Sequence, residues 1–329
     1  MPSMPSLAEQ HRAVREGSGL RDRSDLGKAE AEGRDRASFL QGMLSNDVKA
    51  LAPGQGCAAA FLDAHGKVMA LLRVYALADR LWLELPPRLT EKTLQLLDKY
   101  LISEKVSFEA LDEAYGVLSL QGPRSQALLE GLAGMPVPAA AHAHVEAVLG
   151  GIKARVIQRS EFGSLPGYFL WVAPDDAPAL TQALLEAGAL PVNEEAAEVL
   201  RVESGEPVYG IDVDDSVLLP ELRREDLISY TKGCYIGQEL VARVKYRGHV
   251  NRALAGLRLE GDTVPSAGTP VMAEGKEIGR LTSSARSLAL GVPIALGYLR
   301  REHLEPGAPV AVGGGEPLIP ARVAALPFV

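Results

Sequence analysis

The chain has 329 residues, 47% of them hydrophobic and 23% charged, which is the composition of a globular protein with two or three domains and excludes a disordered or fibrous one. The formal net charge of −8 excludes a surface that is basic throughout, although a local basic patch remains compatible with it. No apolar run approaches the ~18 residues of a membrane span, and the N-terminus lacks the apolar core of a signal peptide, so we expect a cytoplasmic protein.

The cysteines are sparse and isolated. Only Cys57 and Cys234 are present, and they form no CxxC or Cys/His cluster. We therefore expect neither a disulfide framework nor a zinc site. A four-cysteine iron–sulfur cluster cannot be completed by one copy of this chain, so no stably bound metal is expected.

The first part of the chain alternates between helical and extended patterns. Residues 38–50 have apolar side chains at near-helical spacing, which predicts a short amphipathic helix. Residues 53–85 contain three apolar runs separated by turn residues, the pattern of a strand meander. A second helix is predicted over residues 90–102, with Thr90 as its N-cap.

The remainder repeats this alternation and then changes in texture. A strand at 116–120 and a helix after Pro123 precede a loose connection at 135–145, and a further helix is predicted over 177–189. From about residue 250 only short strands with Gly and Pro turns remain. The fold class expected is α+β, with two α+β units in residues 1–250, a break near 135–145, and a β-barrel or sandwich over 251–329.

Two polar clusters are expected to be solvated. The acidic run Asp212–Asp215 lacks the glycine at position six of a calcium loop, and Arg223 stands where a bidentate glutamate belongs. His142 and His144 lie two residues apart in an Ala-rich stretch, which is too little for a metal site, and both are expected to be exposed.

The stretch VARVKYRGHV alternates between charged and apolar residues. If it is extended, Arg243, Lys245 and Arg247 lie on one face. One interpretation is an edge strand whose charges deter aggregation. The other is a cationic wall for an anionic ligand tail or for RNA phosphates, which Arg252 would extend.

The stretch KGCYIGQE (232–239) places Cys234 in a polar setting that is broken by glycines. A neighbouring cation such as Lys232 lowers a thiol pKa, while Gly233 and Gly237 permit left-handed angles or a close approach to a ligand. The following QELVARV can begin a helix whose free N–H groups favour an anion. From these residues alone, packing and reactivity of Cys234 are about equally supported.

The longer run TKGCYIGQELVARVKYRGHVNRAL resembles the signature of the YgfZ family. These are folate-binding proteins related to the T-protein (aminomethyltransferase) of glycine cleavage, and a mitochondrial branch acts in iron–sulfur cluster assembly. Further segments agree in order: FLQGMLSNDV, LSLQGPRS, LRVESGEPVYGIDVDDSVLLPE and GRLTSSARSLALGVPIALGYLR. The resemblance covers about residues 20 to 325 and is carried by a long motif.

This resemblance implies a cloverleaf of two intertwined α+β units and a C-terminal β-barrel, with tetrahydrofolate or a derivative in a central channel. Glu203 matches the T-protein glutamate that binds the pterin, where a carboxylate can accept two hydrogen bonds. Tyr209 matches a position that lines the same channel. The T-protein carries paired aspartates where this chain has Ala70 and Leu71. Because neither can take a proton, the resemblance argues against aminomethyl transfer.

The function expected is therefore a folate-binding protein that supports assembly or repair of iron–sulfur enzymes, including tRNA-modifying ones, with iron–sulfur assembly proteins or client enzymes as partners. In this hypothesis Cys234 acts as a thiolate, Lys232 keeps it ionised, and Gln238 and Glu239 orient a loop that also contains Tyr235. The first alternative is a folate-dependent one-carbon (aminomethyl) transferase acting on an unknown amine. The second is a tRNA-binding module based on the stripe from Arg243; direct nucleic-acid binding is the less favoured of these.

Overall fold

The structure is a computed structural model that describes residues 4–329. The α-helices in this range are α1 (Leu7–Glu16), α2 (Arg36–Met43), α3 (Thr90–Asp98), α4 (Ser125–Ala133), α5 (Ala177–Glu186), α6 (Glu194–Ser204) and α7 (Gln238–Arg247). Contacts divide the chain into two compact units. The first unit consists of the chain up to Glu161 together with Leu165–Val192 and Glu225–Leu240. The second unit consists of Phe162–Ser164, Asn193–Arg224 and Val241–Val329.

The first unit contains two sheets. The strands of its amino-terminal sheet are β2 (Gly27–Glu32), β3 (Gly56–Leu62), β4 (Val68–Ala76), β5 (Leu81–Leu85) and β6 (Ser107–Ala110), in the order β3-β4-β5-β2-β6. Those of the other sheet are β1 (Gly19–Asp22), β7 (Gly116–Gln121), β8 (His144–Leu149), β9 (Ile152–Gln158), β10 (Gly167–Val172) and β11 (Leu190–Pro191), in the order β11-β1-β7-β10-β9-β8. The strands of the amino-terminal sheet thus come from one stretch of the chain, whereas the other sheet combines β1 with strands that follow that stretch.

Strand β10 explains how the first unit is built. All six residues of its sequence GYFLWV are buried, as expected for a strand covered on both faces. Tyr168, Leu170 and Val172 pack in a core that includes Leu129 of α4 and Leu180 of α5. Phe169 and Trp171, on the other face of β10, pack in a second cluster with side chains of the amino-terminal sheet. In this cluster the Trp171 ring stacks on Trp82, with 4.9 Å between the ring centroids.

The second unit contains a closed β-barrel. Its strands are β12 (Arg252–Leu259), β13 (Pro270–Ala273), β14 (Lys276–Arg286), β15 (Pro293–Arg300), β16 (Pro309–Val312) and β17 (Ile319–Ala324), in the order β12-β15-β14-β13-β16-β17. Pairing of β12 with β17 closes the ring, so no long sheet edge is left open. Alternate residues such as Leu257, Leu281 and Leu299 form the barrel core.

The predicted α+β fold class is confirmed, because the chain forms two sheets accompanied by helices and a closed six-stranded barrel. Several helix boundaries differ from the prediction; α3 ends at Asp98 and α5 at Glu186, each earlier than expected. Helix α2 ends at Met43, since Leu44 is extended and bridges Phe61. Helix α3 begins at Thr90, which therefore does not cap it; its hydroxyl donates to Asp112 at 2.9 Å instead. Among residues 4–329, no helix has the length and apolar character that crossing a membrane requires.

Candidate functional site

The KGCYIGQE loop lies in the first unit, immediately before and into the first turn of α7, and presents its thiol to solvent. Cys234 is exposed. Gly233 and Gly237 on either side have φ of 93° and 80°, in the left-handed region that favours glycine. At Gly237 a Cβ atom would also lie 2.5 Å from the carbonyl oxygen of Asp63. The glycine pattern in the sequence therefore has a definite cause in the backbone of this loop.

Hydrogen bonds hold the loop around its exposed thiol. The amide of Ile236 donates to the carbonyl of Gly42 at 3.1 Å, and the Tyr235 amide donates to Oε1 of Gln238 at 3.3 Å. The Tyr235 ring is buried, and burial raises the pKa of its hydroxyl to about 12. Glu239 lies in the first turn of α7, where a carboxylate interacts favourably with the helix dipole.

Lys232 is directed to the backbone around α2. Its ammonium donates to the carbonyls of Gln41 and Leu44 and lies 4.8 Å from the Tyr235 ring centroid. Burial lowers the pKa of Lys232 to about 8, although Asp47 and then Cys57 act in the opposite direction. That Lys232 also keeps the Cys234 thiol ionised stays a prediction.

Cys57 is the contrasting thiol. It lies in β3 and packs against the core of the amino-terminal sheet. Burial raises its pKa to about 12, even though Lys232 lowers it. A thiol held in its protonated form is a poor nucleophile. The partly buried Cys57 and the exposed Cys234 thus lie in different environments.

The carboxylate predicted to bind a pterin lies in the second unit, near the C-terminal end of α6. Glu203 is only 1% exposed. Its Oε1 accepts hydrogen bonds from the Ser287 hydroxyl at 2.6 Å and from the Ala289 amide at 3.0 Å. The second predicted pocket residue, Tyr209, lies five residues after α6, forms a β-bridge with Val213 and is partly exposed. Burial raises the pKa of the Tyr209 hydroxyl, and the negative charges of Asp215 and then Asp214 raise it further.

The prediction that the acidic run is a solvated turn is wrong for Asp212. Its side chain is fully buried and accepts hydrogen bonds from Arg201 at 2.7 Å, Thr282 at 2.5 Å and Ser283 at 2.6 Å. A buried carboxylate needs such partners because losing hydration is costly. Arg201 and Asp212 are eleven residues apart, and nothing in their spacing indicates that they meet.

The prediction that Arg243, Lys245 and Arg247 share one face is also wrong, because this stretch is helix α7 and not a strand. At 3.6 residues per turn, Lys245 is rotated by about 200° from Arg243, whereas Arg243 and Arg247 lie one turn apart on the same side. All three side chains are exposed. The helix buries Val241 instead.

Ala70 and Leu71 lie in the middle of β4. Ala70 is fully buried in the core of the amino-terminal sheet, opposite Phe61 of β3. Leu71 follows on the other face, where it is partly exposed. Neither position carries a group that can exchange a proton.

A further buried network, around Glu84 of β5, was not anticipated. Its carboxylate accepts from the Tyr75 hydroxyl at 3.1 Å and pairs with Arg159 at 2.8 Å and Arg73 at 3.4 Å. Burial, followed by repulsion from Arg73, lowers the pKa of Arg159 to about 10. Three segments separated by many residues converge here, so the network has no local sequence signal. Among residues 4–329, no group of three or more His, Cys, Asp or Glu side chains could hold a metal ion.

Comparison with known proteins identifies the class. Residues 2–232 match the GCVT N-terminal domain, and residues 252–329 match the glycine cleavage T-protein C-terminal barrel domain. The class defined by this fold is thus an α+β amino-terminal region followed by a barrel of the T-protein type. The chain belongs to the glycine cleavage T-protein family.

Named relatives are similar over nearly their full length. Aminomethyltransferases from Streptomyces avermitilis and Rubrobacter xylanophilus are each 31% identical to this chain, over 336 and 330 residues; the matches cover 98% of this chain and 89% and 86% of those proteins. The crystal structure of the glycine cleavage system aminomethyltransferase T from Bartonella henselae superposes with a TM-score of 0.89 at 22% identity, covering 100% of this chain and 91% of that one. The last comparison shows the shared fold.

Proposed function

We propose that this protein binds tetrahydrofolate or a derivative and supports the assembly or repair of iron–sulfur enzymes, including tRNA-modifying ones, through the thiol of Cys234. The proposal assigns it to the YgfZ type within the T-protein family and to the cytoplasm. The observation that carries it is the exposed thiol on a loop whose two left-handed glycines and backbone hydrogen bonds fix its shape. Its partners would be folate and iron–sulfur assembly proteins or client enzymes.

The residues at positions 70 and 71 support this choice over group transfer. One-carbon transfer from an amine needs a group that moves a proton or stabilises a developing cation. Ala70 is sealed in the core and Leu71 is aliphatic. A fold of the aminomethyltransferase type that lacks these carboxylates can retain a ligand site without the transfer step.

Glu203 fits a pterin ligand in part. The carboxylate is buried, so a hydrogen bond made to it is not weakened by water. Its Oε1 already accepts from Ser287 and Ala289. A pterin N–H that reached this carboxylate would share it with these donors, and the contact would be charge-assisted. The partly exposed Tyr209 ring would pack beside the bound ligand.

The thiol would act with a partner. A single thiolate can capture one reactive species or supply one ligand to iron, whereas a cluster of the common types needs four protein ligands. The remaining ligands would have to come from glutathione, from an assembly protein, or from a second copy of this chain. An exposed thiol is accessible to such a partner, in contrast to the partly buried thiol of Cys57.

The test replaces each cysteine by serine in cells that lack the native protein and measures the activity of an iron–sulfur enzyme, normalised to the amount of this protein. We expect Cys234→Ser to give no more than about a tenth of wild-type rescue, since serine cannot act as a thiolate. Cys57→Ser is the matched control, and we expect it to rescue. Full rescue by Cys234→Ser would remove the thiol from the function.

A second candidate is favoured by the names of the relatives, since the similar full-length proteins are aminomethyltransferases. This candidate predicts folate-dependent methylene transfer from a small amine to tetrahydrofolate by the purified protein. Turnover that Glu203→Ala abolishes and Cys234→Ala leaves unchanged would establish it in place of the thiol function. The tRNA-binding alternative has lost its argument from a single charged face, because Lys245 lies away from Arg243 on α7.

A further inference from the structure

A cavity of about 500 Å³ lies on the outside of the barrel in the second unit. It is bounded by the loop 211–217 and by side chains of β12, β14 and β15. Its volume falls in the range of small-molecule sites. None of its lining residues is Glu203, Tyr209 or part of the KGCYIGQE loop, although Tyr209 forms a β-bridge with Val213 in the bounding loop.

Strand register brings three arginines to this cavity. Arg252 of β12 is the direct partner of Arg300 of β15, and Arg280 of β14 is the direct partner of Tyr298. Directly opposed residues point to the same side of a sheet, and so do residues two apart on one strand. The three guanidinium groups therefore share one side around Tyr298, while Leu299 points into the barrel core.

The pairing of Arg252 with Arg300 is unfavourable in itself, since like charges placed directly opposite destabilise a sheet. Two of the three arginines are compensated. Arg252 pairs with Glu221 at 3.1 Å and lies 5.0 Å from the Tyr298 ring centroid, and Arg280 pairs with Glu277 at 2.8 Å. Arg300 is exposed, and its side chain forms no hydrogen bond or ion pair with any residue in the range 4–329.

The remaining lining indicates the kind of ligand. The Asp212 carboxylate at the base is already used by Arg201, Thr282 and Ser283, so it presents little charge to the cavity. Ile211, which is 54% exposed, and Val217 supply apolar surface. Asp214 and Glu277 also line the cavity, so the formal charges of its three arginines and three acidic residues cancel. The cavity therefore suits one anionic group placed on Arg300 more than an extended polyanion.

We propose that this cavity binds a small phosphorylated compound, with the phosphoryl group on Arg300 between Arg252 and Arg280, and an organic portion against Ile211. A guanidinium binds phosphate through two parallel hydrogen bonds, which makes arginine the preferred residue for such a group. The unfavourable cross-strand pair of arginines is then relieved when the anion is bound.

The experiment titrates the full-length protein with phenyl phosphate, which combines one phosphoryl group with an apolar ring, and follows binding by calorimetry. We expect saturable binding to the wild type and at least tenfold weaker binding to Arg300→Gln, roughly the loss of one charge-assisted pair. Arg286→Gln is the matched control: Arg286 also lies on β14 but pairs with Asp262 away from the cavity. Its affinity should stay within about twofold of wild type.

Thermal unfolding separates a binding defect from a folding defect. Removing one of two opposed arginines should not lower the Tm of Arg300→Gln. Phenyl phosphate should raise the Tm of the wild type and of Arg286→Gln but not that of Arg300→Gln. The proposal is overturned by absence of saturable binding to wild type at about 10 mM ligand, by equal weakening in both variants, or by benzoate binding as tightly as phenyl phosphate.

Discussion

His144 shows how burial changes the chemistry of a single residue. It was predicted to be exposed, but it begins β8 and is 5% exposed. Its Nδ1 lies 3.2 Å from Nη1 of Arg155, and its ring packs edge-on against Tyr75 at 5.8 Å. Burial and then the Arg155 charge lower the pKa of His144 to about 4. The Ala-rich sequence around it gave no sign of this environment.

This shift predicts a pH dependence of stability. In the unfolded state this histidine is protonated below about pH 6.5, whereas in the folded state it is protonated only below about pH 4. Stability contributed by the neutral ring is therefore complete above pH 6.5 and is lost as the pH falls through this window. Between pH 7 and pH 5 we expect a loss of about 2 kcal/mol that originates at His144.

Urea unfolding at pH 7 and pH 5 measures that loss. His144→Gln keeps a hydrogen-bond acceptor but cannot titrate, so its free energy of unfolding should depend on pH less than that of the wild type by about 2 kcal/mol. His65→Gln is the control, because the His65 side chain is 85% exposed. Identical pH dependence in His144→Gln and the wild type would show that the ring is not held neutral.

At the level of single residues, the sequence was informative where function depends on a contiguous motif and uninformative where residues from distant segments meet. The KGCYIGQE pattern offered left-handed angles as one of two uses of its glycines, and both glycines adopt them, but it left packing and reactivity of Cys234 equally supported. It could not reveal that Lys232 binds the carbonyls of Gln41 and Leu44. Side-chain spacing along a chain carries no information about such long-range contacts.

Helix α7 shows the same limit for a secondary-structure element. Charged and apolar residues alternate from Arg243, which is a strand period, but Val241 and Val244 are also spaced i, i+3, as in a helix. Only Val241 is fully buried, and most of the helix surface is exposed. An exposed helix needs few apolar contacts, so its sequence does not have to show the apolar period of a helix. The charged and apolar residues of α7 are therefore free to alternate, and that alternation wrongly predicts a strand.

The loop before α7 provides a test at this scale. Gly237→Ala should destabilise the protein by about 2–4 kcal/mol, since it adds both a left-handed strain and a Cβ atom against Asp63 and Leu62. Gly233→Ala is the matched control: its φ is also positive, but nothing lies within 4 Å of the added atom. It should cost only about 1–2 kcal/mol.

Urea unfolding gives both values, and the reaction rate of Cys234 with a thiol reagent reports the loop itself. We expect Gly237→Ala to change that rate and Gly233→Ala to lose less stability. Equal destabilisation by the two substitutions would mean that the packing of Gly237 against Asp63 does not fix the loop.

For the whole molecule, the order of α+β units followed by a β-rich end followed from the periodicity of the sequence, and the resemblance to the T-protein distinguished a barrel from a sandwich. The strand order could not be obtained in this way. Closure of the barrel pairs Arg258 of β12 with Arg322 of β17, and neither strand has a pattern that names its partner. The domain boundary at residue 250 and the break near 135–145 stay predictions.

The relation between fold and function is the central question for the molecule. Its family fold is shared with aminomethyltransferases, whereas Ala70 and Leu71 carry no group that can exchange a proton. The proposed function therefore requires a folate ligand without transfer chemistry. Glu203, buried on α6, is the residue that we expect to bind that ligand.

Calorimetric titration with tetrahydrofolate tests this requirement most directly. We expect saturable binding to the wild type and to Glu195→Gln, an exposed control on the same helix. Binding to Glu203→Gln should be at least tenfold weaker, because a neutral amide would replace the charged carboxylate acceptor. Absence of saturable heat with the wild type, or equal affinity for Glu203→Gln and the wild type, would contradict the account.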